Sequence, residues 1–348
     1  MQFKKYSSIQ NSYRDKFVDE CLCAITTGYC IDDFVVEEKA HGSNFSFYYN
    51  GEELKTASRN EFLENDGKSF HQSHLVKDRY TNAIKALYSL LDCSENITIR
   101  VIGELIGGSY QHPNVEKVQN LRGVQKEVDY CPGHEFYAFD LFFLSEESPN
   151  GEVRYKTEVD KIEMNRLFEQ AGLFYAKPLF RGTLKECLAF EHTFTSHIPG
   201  WLGLPEHPAA NFAEGKVIKP VKMAKLGNGS RIILKDKTES FSEIETRLAS
   251  KQKNDTVAEL ANILSCYITA NRLSNVHSKL SEEYTAADYG RICGLLTQDA
   301  LEEFNKDHAK AIASLTAKKQ KLIRKGVRSK AITLVRATLP SEENLHGD

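Results

Sequence analysis

The stretch Glu38-Lys39-Ala40-His41-Gly42-Ser43-Asn44-Phe45 sets an amine between an apolar β-branched run and a glycine. A lysine so placed can act as a nucleophile, and the glycine lets the backbone approach a phosphate closely. Taken alone, K-x-x-G also describes many solvated turns. Four later stretches change its weight. Glu104 stands at a strand end in Ile102-Gly103-Glu104-Leu105, and Phe139-Asp140 closes the run Phe136-Tyr137-Ala138. Glu214-Gly215-Lys216-Val217-Ile218-Lys219 follows, and then Ile232-Ile233-Leu234-Lys235-Asp236-Lys237.

An attack by lysine needs the neutral amine. A free lysine has a pKa of about 10.4, so near pH 7.4 only ~0.1% is deprotonated, a penalty of about 4 kcal/mol. Neighbouring cations and a metal ion lower that barrier. Lys235 and Lys237 alternate along a strand and so share one face. That face could meet a triphosphate, where two ammonium groups stabilise transition-state charge. The competing reading is a solvated strand face. For Phe139, the competing reading is a plain core phenylalanine, because alternation puts Tyr137 and Leu141 on its face and Asp140 on the other.

These residues need a scaffold. Phe34-Val35-Val36 and the alternating run Asn44 to Tyr49 read as strands. Asn50-Gly51 supplies a hairpin turn, and Leu54 to Ser58 returns. Asp78 to Asp92 carries Ala83, Ile84, Leu87, Leu90 and Leu91 on one stripe and reads as a helix. Ile97 to Ile106 and Glu135 to Leu144 read as strands, and Glu158 to Gln170 as a helix stopped by Gly172. Lys216 to Val221 and Ser230 to Lys237 are two more strands around the turn signal Gly227-Asn228-Gly229. After about residue 240 the pattern becomes helical: Val257, Leu260, Leu264 and Tyr267, then Tyr289, Ile292, Leu296 and Ala300. The expected class is α+β: a domain of mixed, mostly antiparallel sheets over 1–240, then a small all-α domain over 241–348.

The ordered set resembles motifs I, III, IIIa, IV and V of the covalent nucleotidyltransferases, which are DNA ligases, RNA ligases and messenger-RNA capping enzymes. Within that group the chain is most similar to the phage RNA ligase 2 family, which includes the kinetoplastid RNA-editing ligases. The third residue of motif I separates the branches. DNA ligases and capping enzymes usually carry Asp there; this chain has His41. The opening Phe3-Lys4-Lys5-Tyr6-Ser7-Ser8 and the helical Cys266-Tyr267-Ile268-Thr269-Ala270-Asn271-Arg272 also look like the phage family. The resemblance is weakest over about 60–77, 145–212 and the last few dozen residues.

The resemblance implies an adenylation domain in which Lys39 takes AMP from ATP, passes it to a 5′-phosphate, and lets a 3′-hydroxyl displace it. It implies Mg²⁺ or Mn²⁺ beside Glu214, a ribose 2′-hydroxyl on Glu104, and adenine stacked on Phe139. Glu38, Lys39, Ala40, Asn44, Arg59, Lys219, Lys235 and Lys237 complete the implied nucleotide site, with Lys219 near the α-phosphate. His41, Arg59, Arg272, Asp299 and Glu303 are the implied nucleic-acid contacts, the last three alternatively ordinary surface. The substrate implied is RNA, a nicked duplex with 3′-hydroxyl and 5′-phosphate, handled by a monomer. Two departures stand out. Glu37 replaces a basic residue, which puts a phosphate contact there in doubt. Lys216 replaces an aromatic, which changes pocket packing or adds a cation.

Composition agrees with a globular chain: 348 residues, 41% hydrophobic and 27% charged. A net charge of −3 gives nucleic-acid binding no overall support, so basic surface must be local. Lys318, Lys319, Lys321, Arg324, Lys325, Arg328 and Lys330 form such a run, either a phosphate grip or a solvated helix face. Cys21, Cys23, Cys30, Cys93, Cys131, Cys187, Cys266 and Cys293 form no C-x-x-C pair, which fits free thiols in a reducing cytoplasm. The N-terminus lacks a signal-peptide apolar region, and no apolar run reaches membrane-span length. G-x-x-x-x-G-K-[ST] and H-E-x-x-H are absent, which excludes a P-loop kinase and that class of zinc hydrolase. Rival readings are a DNA ligase, a capping-type guanylyltransferase, and a non-catalytic nucleic-acid-binding protein on the same fold. An appended OB-fold, expected of the first two, would read as short strands; helices are read instead.

Overall fold

The computed structural model describes residues 1–7, 9–64, 70–91, 97–145, 154–156, 159–238, 241, 257–280, 288–313 and 315–338. The chain divides into two compact units, Met1–Thr238 and Glu239–Asp348.

Two five-stranded sheets build the first unit. The first sheet runs β1 (Gln10–Asn11), β10 (Leu234–Lys237), β9 (Gly215–Pro220), β2 (Phe34–Lys39), β8 (Pro178–Gly182). All its pairings are antiparallel except β1 with β10. The second runs β4 (Leu54–Ala57), β3 (Ser43–Tyr49), β5 (Ile97–Ser109), β6 (Cys131–Ser145), β7 (Arg154–Lys156), antiparallel throughout. The expected Asn50-Gly51 turn joins β3 to β4. Asn50 Oδ1 accepts from the Glu52 and Glu53 amides, and Gly51 takes φ 96°.

Period-two patterning decides which face of each strand is apolar. On the first sheet Phe34, Val36, Ile218 and Leu234 pack with α1 (Asp15–Thr26) and α4 (Leu184–Ala189). Their neighbours Glu37, Lys39, Lys219, Lys235 and Lys237 therefore turn to the other face. On the second sheet Phe45, Phe47, Val101, Leu105, Phe136 and Leu141 pack under α2 (His74–Leu90) and α3 (Lys161–Ala171). Its opposite face carries Tyr48, Ile102 and Phe142, covered partly by Tyr6, Phe3 and Ile9. Bonds such as Tyr137 Oη to the Glu38 carbonyl, 3.3 Å, join the two sheets across a cleft.

Several expected boundaries move. The helix read from Asp78 starts at His74, and Asp92 lies outside the described residues. The helix read from Glu158 starts at Lys161 because Asp160 caps it, accepting from the Glu163 amide; Glu158 lies outside the described residues. Gly172 ends it at φ 76°. The strand read from Ser230 is regular only over Leu234–Lys237, since Arg231 pairs back on Lys225 beyond the Gly227–Gly229 turn. Helix α1 and the short helices α4 and α5 (Ile198–Trp201) were not expected.

The second unit contains α6 (Val257–Ser265), α7 (Ala270–His277), α8 (Tyr289–Asp307), α9 (Ala309–Ala313) and α10 (Ala317–Thr338). Leu260 and Leu264, then Ile292, Leu296 and Ala300, meet Ile323, Val327, Ala331 and Val335 in one core. The i, i+4 spacing on α10 leaves Lys318, Lys319, Lys321, Arg324, Lys325 and Arg328 exposed. Lys330 instead donates to the Ser265 carbonyl at 3.0 Å. No helix among the described residues is long and apolar enough to cross a membrane. Seven cysteines are free thiols; Cys93 lies outside the described residues.

Candidate active site

Strand β2 ends on Lys39, which pairs with Gly215 at the start of β9; Lys237 on β10 pairs with the same glycine from the other side. Glu214, just before that glycine, therefore lies between two lysines. Its Oε2 is 2.6 Å from Lys39 Nζ and its Oε1 2.8 Å from Lys237 Nζ. Gly215 takes φ 147°, and a Cβ there would lie 2.0 Å from the Asp236 carbonyl oxygen, so only glycine fits.

His41 adds a third partner. Its Nδ1 is 3.8 Å from Glu214, and its Nε2 is 2.9 Å from Glu127. Burial would raise the Glu214 carboxyl, but Lys237, Lys39 and His41 together hold it at about 2. The hydrogen bond from His41 likewise holds Glu127 at about 2. Glu214 is thus a poor general base at neutral pH and a good anchor for an amine.

The second sheet supplies the opposite wall. Asn44 and Glu104 are cross-strand neighbours, as are Glu104 and Tyr137. Desolvation in the cleft pushes the Glu104 carboxyl up to about 7 against the pull of Lys39, and Glu214 adds to the rise. Arg59, in the loop after β4, is close enough to oppose it. Asn44 Oδ1 is buried and takes no hydrogen bond from a described residue. Ala40 is buried at the head of the motif loop, and the His41 amide donates to Tyr130 Oη at 2.8 Å.

Gly42 has a packing task. It lets the loop pack on β5, since a Cβ would lie 2.2 Å from the Leu105 carbonyl oxygen and 2.9 Å from Ile106 Cγ2. Gly42→Ala is expected to destabilise the first unit by about 1–3 kcal/mol through overpacking. Thermal denaturation against wild type measures it; an unchanged midpoint would refute the close approach.

The face expected for Phe139 is corrected. The ladder pairs Ile102 with Asp140 and Gly103 with Ala138, so Phe139 is the extra residue of a β-bulge. The alternation breaks there. Leu141 enters the core under α2 and α3, while Phe139 packs on Tyr6, ring centroids 5.8 Å apart. Asp140 lies on the same side, accepting from Tyr6 Oη at 2.7 Å. Arg231 binds Asp140 through both terminal nitrogens, at 2.7 and 3.1 Å.

Lys219 is held against Phe139. Its ammonium donates to the Phe139 carbonyl at 2.8 Å, lies over the Phe139 ring, and pairs with Glu37 at 3.0 Å. Glu37 also pairs with buried Lys161, whose amine burial pulls down to about 8. So Glu37 holds two lysines under the Phe139 bulge instead of meeting a phosphate. Lys216 points the other way and caps α4 through the Cys187, Leu188 and Phe190 carbonyls. The Glu38 carboxylate also leaves the cleft, accepting from Ser196 Oγ at 2.5 Å and the His197 amide at 2.7 Å. Lys235 shares its strand face with Lys237 beside Asn11 on β1.

In the helical unit the expectation for Arg272 is corrected. Its side chain is 1% exposed, with Nε donating to the Tyr267 carbonyl and Nη1 paired with Asp299. Lys279 holds the other oxygen of Asp299 at 3.2 Å, and Glu303 pairs with Lys306 at 3.3 Å. Arg272 and Asp299 therefore tie α7 to α8 and to the turn before α7, which engages the guanidinium within the helical unit. Glu127, Tyr130, Lys161, Ser196 and His197 were missed. They meet the motifs from distant segments and carry no periodic signal.

The RNA ligase family model matches residues 32–237, spanning every strand of both sheets except β1. The chain belongs to the RNA ligase family. The T4 RNA ligase 2 C-terminal model matches residues 250–333, which sets the chain in the RNA ligase 2 branch. The chain is 26% identical over 364 residues to the mitochondrial RNA-editing ligase 2 of Trypanosoma brucei brucei, covering 90% of this chain and 85% of that one. It is 27% identical over 359 residues to the mitochondrial RNA-editing ligase 1 of the same organism, covering 85% and 75%. Among solved structures, an apo mutant of Naegleria gruberi RNA ligase aligns at 15% identity with a TM-score of 0.42, over 69% of this chain. The alignment spans 58% of the Naegleria chain.

Proposed function

We propose that this RNA ligase uses ATP to seal 3′-hydroxyl and 5′-phosphate ends, nicks in duplex RNA in particular, through a lysyl-AMP intermediate on Lys39. The observation that carries the reading is the Lys39–Glu214–Lys237 arrangement in the cleft. A carboxylate holds one amine at the strand end while a second ammonium waits on the same face. In the first step the Lys39 nitrogen bonds to the α-phosphorus and pyrophosphate leaves. Lys237 and Lys235 stabilise charge on the phosphate oxygens. AMP then passes to the RNA 5′-phosphate, and the 3′-hydroxyl displaces it to form the phosphodiester. Phe139 offers a ring for adenine, and Asn44 Oδ1 and Glu104 offer acceptors for nucleotide hydroxyl or amine groups.

A divalent cation fits the donor set. Among the described residues no group of three or more His, Cys, Asp or Glu could hold a metal unaided. Mg²⁺ is commonly held by one or two carboxylates together with phosphate oxygens, and Glu214 would be the protein ligand. When bound, it would neutralise triphosphate charge. We assign the helical unit, with the exposed basic face of α10, to holding the nucleic acid.

Sealing of a labelled nicked RNA duplex with ATP and Mg²⁺ tests the reading, with a DNA nick in parallel. The account expects RNA to be joined. Joining of DNA alone would move the protein to the DNA ligase branch.

A further inference from the structure

The residue before the nucleophile secures a feature that the proposed chemistry does not use. Glu38 is buried, and both its oxygens hold the Ser196–His197 corner. From that corner the His197 ring stacks on Trp201, centroids 5.8 Å apart and planes 26° apart. The Lys177 ammonium lies over the Trp201 ring at 5.8 Å and has no salt bridge to a described residue. The His197 side chain is 47% exposed. Phe194 also packs on the ring, tilted by 50°, with centroids 5.5 Å apart. The same segment continues to Pro205, which accepts from Tyr110 Oη, and to Asn211, which binds Asp129 next to Tyr130. It therefore forms a rim tied to both the motif I loop and the second sheet.

An exposed ring stack with a cation beside it suits a group that offers a π-face and an anion together. An unpaired nucleotide does so with its base and its phosphate. We propose that Lys177, His197 and Trp201 form a base-stacking subsite for an unpaired nucleotide of the RNA outside the sealed duplex, on the rim that Glu38 anchors; the proposal rests on the reading of the chain as an RNA-joining enzyme. The base packs on the exposed part of the His197–Trp201 pair, while Lys177 meets the adjoining phosphate. Glu38 is the positioning residue that fixes the platform relative to the nucleophile.

Trp201 is the single tryptophan of the chain, so the full-length wild-type protein carries its own probe. A 5′-phosphorylated oligouridylate with a 3′ fluorophore is titrated in. Anisotropy reports binding and Trp201 emission reports the platform. Uridine is used because it brings no adenine to the nucleotide pocket. The expected result is a change in Trp201 emission that saturates together with the anisotropy. His197→Ala and Trp201→Ala should each bind about tenfold more weakly, with Trp201→Phe restoring most of the loss. Lys177→Gln should lower the slope of log affinity against log salt by roughly one. Binding by anisotropy with unchanged Trp201 emission, or wild-type affinity in His197→Ala, overturns the subsite. Flat anisotropy overturns it too, whatever the protein does with ATP. If the oligonucleotide binds with the emission change but the protein forms no adduct with ATP, the subsite stands and the ligase chemistry fails.

Discussion

Lys39→Ala is expected to abolish AMP attachment and sealing, lowering both by more than about 10⁴-fold, because the variant lacks the nitrogen that bonds to phosphorus. The fold should survive. Lys39 ends β2, its side chain is partly exposed, and Glu214 keeps Lys237 as a partner at 2.8 Å. The midpoint of thermal unfolding should therefore stay within about 3 °C of wild type, an effect of about 1 kcal/mol. A second, finer outcome separates the nucleophile from the anchor. Glu214→Gln keeps the amine but loses the charge that places it, so adduct formation should be slowed but not eliminated. An adduct in Lys39→Ala at wild-type level would assign the nucleophile elsewhere.

Asp140→Asn should produce the largest loss of stability. Asp140 is buried beneath the bulge and neutralises Arg231 through two hydrogen bonds while accepting a third from Tyr6. Removing one partner of a buried pair costs about 3–5 kcal/mol, because the guanidinium stays behind without its counter-charge. For a unit of this size that corresponds to a fall in midpoint of roughly 10 °C. The sign of the pH dependence follows from the same contacts. Burial would raise the Asp140 carboxyl, but Arg231 and Lys219 hold it well below the usual carboxylate range. A depressed carboxyl contributes stability that is fully present above its unfolded pKa of about 3.9 and is lost as pH falls toward its folded value. Denaturant midpoints below about pH 4 should therefore converge for wild type and Asp140→Asn. A constant gap down to pH 2 would show that the pair contributes through shape alone.

The α+β class, the antiparallel sheets and the helical C-terminal region were all legible in the sequence. Strands β2, β3 and β5 have strong apolar patterning, and Leu260, Ile292 and Leu296 have unbroken helical spacing. Lys39, Glu104, Glu214 and Lys237 could be picked out because each stands at a strand end or on a patterned strand face. Alternation failed at Phe139 because a bulge adds one residue, and single-strand periodicity carries no sign of its partner's register. The resemblance set Lys219 near the α-phosphate and Arg272 on nucleic acid, and left Lys216 as a change of packing or an added cation; it could not reveal the carbonyls and carboxylates from other segments that hold all three. Glu37 shows the same effect in reverse. Its place in the motif put a phosphate contact in doubt without revealing the two lysines it pairs with.

The proposed chemistry turns on a covalent AMP on Lys39. The most direct measurement is peptide mass mapping of the full-length protein after incubation with ATP and Mg²⁺, with GTP in a parallel sample. One AMP per chain is expected, on the peptide containing Lys39 and on no other, with no GMP from GTP. AMP on a different lysine, GMP in place of AMP, or an unmodified chain shown to be folded and not already adenylated would contradict it.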